Sequence, residues 1–154
     1  MGLVAKRLEE LGVRLPSAVT PVANYTGFVR SGGLLLVSGQ LCLAGGVLVA
    51  KGKLGSQVTV EQGQAAARAC AINLLAQVAS ALGDLDKVAR VVRLGGFINS
   101  APDFLDGSVV MNGASDLMVE VLGDKGRHAR TAIGVASLPG DAAVEVEGMF
   151  EVTE

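Results

Sequence analysis

Arg130-Thr131-Ala132-Ile133-Gly134-Val135-Ala136-Ser137-Leu138-Pro139-Gly140-Asp141-Ala142-Ala143-Val144-Glu145-Val146-Glu147 is the stretch from which the architecture can be read. Ile133 and Val135 alternate with Ala132, Gly134 and Ala136, and Val144, Val146, Phe150 and Val152 alternate with Glu145, Glu147 and Glu151. A period of two marks strands whose faces differ. The reading is two strands joined at Pro139-Gly140-Asp141 as a hairpin, branched residues towards the core. The other face would then carry both Arg130 and Glu145 beside small side chains.

Working outward, Thr59–Leu82 is the clearest helix. Thr59-Val60-Glu61-Gln62 has the pattern of a capping box, in which the threonine hydroxyl and the glutamine side chain satisfy each other's backbone amides. Ala67, Cys70, Ala71, Leu74, Leu75, Val78 and Leu82 fall along one face, and Gly83 is a natural stop. Lys87–Asn99 reads as a long strand whose Gly95-Gly96 pair signals a bulge or a close approach. Asp103–Leu122 reads as a second helical region with Ser108 as its cap, although Gly113 lies inside it. Upstream, Thr26–Arg30, Leu34–Gln40 and Leu41–Val49 form a strand-rich section punctuated by Gly-Gly pairs, and Val4, Leu8 and Leu11 mark a short surface helix. The order of elements implies one α+β domain over residues 1–154, its helices on one sheet face, with 1–16 as an N-terminal helical extension.

Composition narrows the function classes. Half of the 154 residues are hydrophobic, 18% are charged and the net charge is −2. Mean hydropathy is +0.48, and Leu34–Val37 and Leu41–Val49 are too short and glycine-broken to cross a bilayer. The surplus apolar surface therefore points to a subunit interface. Aromatics at 3% without tryptophan, on an acidic chain, count against nucleic acid as the main partner. Cys42 and Cys70 have no CxxC context and read as reduced core thiols, in keeping with a cytoplasmic address.

The usual catalytic constellations are missing. The single histidine, His128, lies in the glycine- and charge-rich segment 123–130 and reads as a solvated loop residue. Metal-ligand spacing and nucleotide-phosphate loops are absent, so neither a metal nor a cofactor is expected. Arg130 and Glu145 remain: a planar fork suited to a carboxylate, and a carboxylate able to orient water. On pattern alone the favoured reading is a structural ion pair or a pair of solvated charges, since most surface charges of this kind do nothing.

The chain resembles the Rid (reactive intermediate deaminase), YjgF-like family from about Tyr25 to Val152. The resemblance is carried by Leu36-Val37-Ser38-Gly39-Gln40, Gly96-Phe97-Ile98-Asn99 with Asp103-Phe104, Asn112, and the order Arg130, Leu138-Pro139, Val144-Glu145-Val146-Glu147. It implies a chorismate-mutase-like α+β fold, a mixed sheet with two helices on one face, and a homotrimer with clefts between subunits. It further implies hydrolysis of enamines and imines such as 2-aminoacrylate to 2-keto acids and ammonia. Arg130, aided by backbone near Ala132, would bind the substrate carboxylate, and Glu145 would position water. Tyr25, Ser38, Gly39 and Asn112 would line the cleft. Ala23-Asn24 before the tyrosine, Thr26-Gly27 after it, and Ala132 where the family often has cysteine set this chain in a divergent branch. The alternatives are a trimer that binds small carboxylates without turnover and, more weakly supported, a ribonuclease.

Overall fold

The computed structural model describes all residues from Met1 to Glu154. Helix α1 (Leu3–Glu10) leads to strands β1 (Phe28–Ser31) and β2 (Leu34–Leu41) and a small ribbon of β3 (Leu43–Ala44) with β4 (Val47–Leu48). Then come helix α2 (Val60–Leu82), strand β5 (Val88–Asn99), helix α3 (Gly107–Leu122) and strands β6 (Ala129–Val135) and β7 (Val144–Val152). The main sheet has the order β1-β2-β7-β5-β6. Only the β5–β6 pair is parallel, which makes the sheet mixed.

Local chemistry sets the helix limits. The Thr59 hydroxyl accepts from the Gln62 amide at 3.2 Å, and the Gln62 side chain accepts from the Thr59 amide at 2.9 Å, the expected capping box. Gly83 closes α2 in the left-handed region at φ 73°. By length and hydropathy α2, unlike the shorter strand segments, is apolar enough to span a bilayer. Two-thirds of its apolar window is buried, and Ala66, Ala67, Cys70, Ala71, Leu74, Leu75 and Val78 belong to the core cluster. α1 is capped from a distance: Leu3 and Val4 amides donate to the Asp86 carboxylate at 2.7 and 2.8 Å. α3 starts at Gly107, and its N-cap is Asp106 without a side-chain cap bond. Ser108 is thus inside the helix, not at its cap.

Helices α2 and α3 lie on one face of the sheet. Gly113 explains their closeness, since a Cβ there would drive into the Gln64 backbone carbonyl. Gly96 allows another close approach, because Met111 of α3 occupies the space its side chain would need. The β5 irregularities fall instead at Val88/Arg90 and Val91/Arg93.

The expected hairpin does not form. β5 lies between β6 and β7, pairing residue by residue with both: Ile98 faces Gly134 on one side and Val144 on the other. The segment 136–143 arches over the end of β5. Asn99, fully buried, donates to Asp141 Oδ1 at 3.0 Å and to the Ala142 carbonyl at 3.1 Å. Lys53 Nζ donates to Asn99 Oδ1 at 2.8 Å and also to the Ala136 carbonyl. These bonds hold a crossover where the local pattern suggested a tight turn.

Candidate functional site

Facing follows from register. In β7, Val144, Val146, Phe150 and Val152 are buried under the helices, and Glu145, Glu147 and Glu151 point to the open face. Partnering across β5 carries this to β6: Leu94, buried, sits between Gly148 and Arg130, while Phe97 sits between Glu145 and Ile133. Arg130 therefore points to the helix side with Ala132, and Ile133, 46% exposed, points to the open side. The expectation that Arg130 and Glu145 share a face is corrected. The even-odd pattern of β6 is right, but the side with small residues faces α3, and the branched Ile133 faces outward. An edge strand beside polar groups of a helix has no need to turn its branched residues inward.

Arg130 is held from α3. Its Nη1 donates to Asn112 Oδ1 at 2.9 Å and to Ser115 Oγ at 3.2 Å, and Nη2 donates to the Ser108 carbonyl at 3.1 Å. Nε–H and one Nη2–H make no bond within the chain. The guanidinium therefore keeps two donors uncommitted, and a planar fork of this kind is suited to gripping a carboxylate. The structure thus brings Asn112 to Arg130 and leaves a fork open. Ala132 follows on the same face, packed against the core.

Next to this assembly is His128, which the sequence reading placed in solvent. It is half-buried, with Nε2 2.9 Å from Ser115 Oγ and Nδ1 2.6 Å from the Gly126 carbonyl. Burial first, and then the Arg130 charge, hold its pKa below the ordinary 6.5, against the backbone bond that raises it. Ser115 and His128 are distant in sequence, so no local motif could join them.

Tyr25, Ser38 and Gly39 gather elsewhere, lining one depression with Gln40, Asn73 and Gln77. Ser38 donates its hydroxyl to the Thr26 carbonyl at 2.7 Å and its amide to Gly27 at 2.9 Å. The irregularity between Val37 and Gln40 in β2 brings Gly39 beside Glu145. A Cβ on Gly39 would lie 2.7 Å from Glu145 Oε2. From α2, Asn73 Nδ2 donates to the Leu41 and Leu43 carbonyls at 3.0 and 2.9 Å, and Gln77 donates to the Val19 carbonyl at 2.8 Å. These two buried amides were not singled out in the sequence, where an α-helical Asn or Gln looks unremarkable. Burial, and secondarily the neighbouring Glu147, raise the Glu145 pKa from its ordinary 4.5.

Cys42 and Cys70 are free, buried and close together, with Cys42 Sγ donating to Ala50 O at 3.5 Å and Cys70 Sγ to Val144 O at 3.4 Å. Burial pushes the Cys70 thiol well above its ordinary value, so it stays protonated. No group of three or more His, Cys, Asp or Glu side chains is arranged to hold a metal.

The family described as "YjgF/chorismate_mutase-like, putative endoribonuclease" matches residues 5–150. The chain belongs to this YjgF/chorismate-mutase-like family. Protein TCP17 of Trypanosoma cruzi is 53% identical over 98% of this chain and 95% of its own length. The crystal structure of Atu1372 from Agrobacterium tumefaciens, described as being of unknown function, superposes with a TM-score of 0.92 at 49% identity, covering 98% of this chain and 93% of that one. A "putative endoribonuclease" from Shewanella oneidensis superposes at 0.94 with 32% identity, covering 97% and 99%. The resemblance to the Rid, YjgF-like proteins thus holds at the level of family, and so does the chorismate-mutase-like α+β fold. Within the YjgF-like fold, one chain carries two separate groups: Arg130 with Asn112 under α3, and Tyr25, Ser38 and Gly39 with Glu145 towards the opposite edge.

Proposed function

We propose that the protein hydrolyses reactive imines and enamines of the 2-aminoacrylate type to 2-keto acids and ammonia, at sites shared between copies of the chain in a homotrimer. The observation that carries this reading is the Arg130 fork: three acceptors fix its guanidinium, and Nε–H and one Nη2–H are left for a carboxylate. The reaction asks little more of the protein. Water adds to the C=N carbon of the imino acid, giving a carbinolamine; collapse expels ammonia and leaves the C=O of the 2-keto acid. Holding the carboxylate, excluding bulk water and placing one water molecule are the required tasks. Glu145, raised in pKa by burial, orients that water and passes its proton.

The layout of the sheet supports sharing between copies. Arg130 and Glu145 lie on strands separated by β5 and three residues out of step along it. Their backbones are roughly 14 Å apart, and their side chains leave opposite faces. A second copy would bring the Glu145 group of one chain to the Arg130 group of the next. The open face supplies apolar surface for such contact, with Val29, Leu34, Leu36 and Ile133 between 37% and 55% exposed. The two free thiols are in keeping with a cytoplasmic protein.

The test is ammonia release from imines generated in situ by an amino-acid oxidase. The wild-type protein should accelerate it, and Arg130→Ala should abolish the acceleration. Failure with a panel of small and branched imino acids sinks the proposal; calorimetric binding of a 2-keto acid without turnover would instead make the trimer a carboxylate-binding module. The family's ribonuclease description finds less support, since the acidic chain commits its single histidine to Ser115 and Gly126.

A further inference from the structure

We propose that His128 is a positioning residue for the carboxylate fork, fixing the Arg130 guanidinium through Ser115. This rests on the reading of Arg130 as the carboxylate-binding group, and extends it to residues outside the family motif.

The hydrogen-bond directions follow from chemistry. The Gly126 carbonyl can only accept, so Nδ1 of His128, 2.6 Å away, carries the hydrogen. In the neutral ring Nε2 is then an acceptor, and its partner at 2.9 Å, the Ser115 hydroxyl, is the donor. With its hydrogen committed to His128, Ser115 Oγ turns a lone pair to Arg130 Nη1, 3.2 Å away. The chain thus runs in one direction, from guanidinium to serine to imidazole to backbone carbonyl. Asn112 Oδ1 and the Ser108 carbonyl take the other two bonds. Every acceptor falls on Nη1 or Nη2, which leaves Nε–H and one Nη2–H for the ligand.

The surroundings keep the imidazole neutral. Two residues on, at the start of β6, it meets the Arg130 charge; Arg90 and Arg127 line the same surface depression. From α3 it faces Ser115, where Asp116 is exposed and Glu120 is paired with Arg68 at 3.0 Å. Asp124 lies 3.6 Å from Arg127. No carboxylate is placed to hold the ring as a cation. A ligand carboxylate on Arg130 would cancel the nearest positive charge, so binding should raise the His128 pKa.

His128 is the sole histidine, so ¹⁵N labelling of histidine in the unmodified protein gives one imidazole to follow. The expected spectrum is the neutral Nδ1–H tautomer near pH 7, with a titration midpoint that rises when pyruvate is added. The Nε2–H tautomer overturns the proposal, and this measurement needs no variant to fold. In calorimetry with pyruvate, His128→Phe and Ser115→Ala should each weaken binding roughly three- to tenfold. Their combination should be no weaker than either alone, because both break one chain, and Ser115→Thr, which keeps the hydroxyl, should restore it. Full additivity, or unchanged affinity in both single variants while Arg130→Ala abolishes binding, overturns the relay alone. Unchanged affinity in Arg130→Ala overturns the carboxylate reading itself, whatever the tautomer.

Discussion

Arg130 and Glu145 leave opposite faces of one sheet: the first reaches α3, where Asn112 Oδ1 accepts from it at 2.9 Å, and the second stands on the open face beside Gly39. The separation makes a complementation experiment decisive. In the proposed ring each site takes an arginine from one copy and a glutamate from its neighbour. Arg130→Ala and Glu145→Gln proteins should each be inactive alone. Unfolded, mixed in equal amounts and refolded together, they should regain about a quarter of wild-type activity, the chance that a site receives both intact residues. A mixture as inactive as its components removes the shared site.

The raised pKa of Glu145 has a consequence for stability. A carboxyl whose folded pKa lies above its unfolded value binds its proton more tightly in the native state. That contribution is fully present below the unfolded value near 4.5 and is lost as pH rises through the folded pKa. Glu145→Gln should therefore melt like wild type below pH 4.5 and above it at neutral pH. Thermal melts at pH 4 and pH 7 measure the difference; a variant that melts lower at pH 7 contradicts burial as the cause.

Gly113 should tolerate no side chain. In exposed helix positions Gly→Ala stabilises by up to ~1 kcal/mol, but here the methyl would meet the Gln64 backbone carbonyl, which cannot swing aside as a side chain can. Gly113→Ala should cost roughly 1–3 kcal/mol in urea unfolding. A gain in stability would mean that α2 and α3 separate more freely than their packing suggests.

Asn99 ties the end of β5 to the 136–143 arch. Replacing it with alanine removes its bonds to Asp141 and Ala142 and leaves the Lys53 ammonium short of a partner. Asn99→Ala should lose about 2–3 kcal/mol, chiefly from polar groups left unpaired. Denaturant unfolding measures it, and hydrogen exchange should show the loss of protection at residue 99 and Ser100, whose amides donate to the Ala143 and Val135 carbonyls.

What the sequence determined by itself is whatever depends on neighbours along the chain. Thr59 and Gln62 are three residues apart, so their capping box, and the stop at Gly83, were legible as written. The alternation in β7 also placed Val144, Val146 and Phe150 in the core and Glu145 and Glu147 outside it. The motifs around Arg130 and Glu145 were enough to name the family. Tertiary structure decided the rest. Periodicity assigns residues to two faces but cannot say which face the helices cover, and at the β6 edge the covered face holds Arg130 while Ile133 looks outward. Nor does a turn-forming Pro-Gly-Asp state that another strand lies between the two it connects. Asn99 and Lys53, far away in sequence, hold that crossover. The link from His128 through Ser115 to Arg130 likewise exists only because α3 lies against β6, and no spacing in the chain records it.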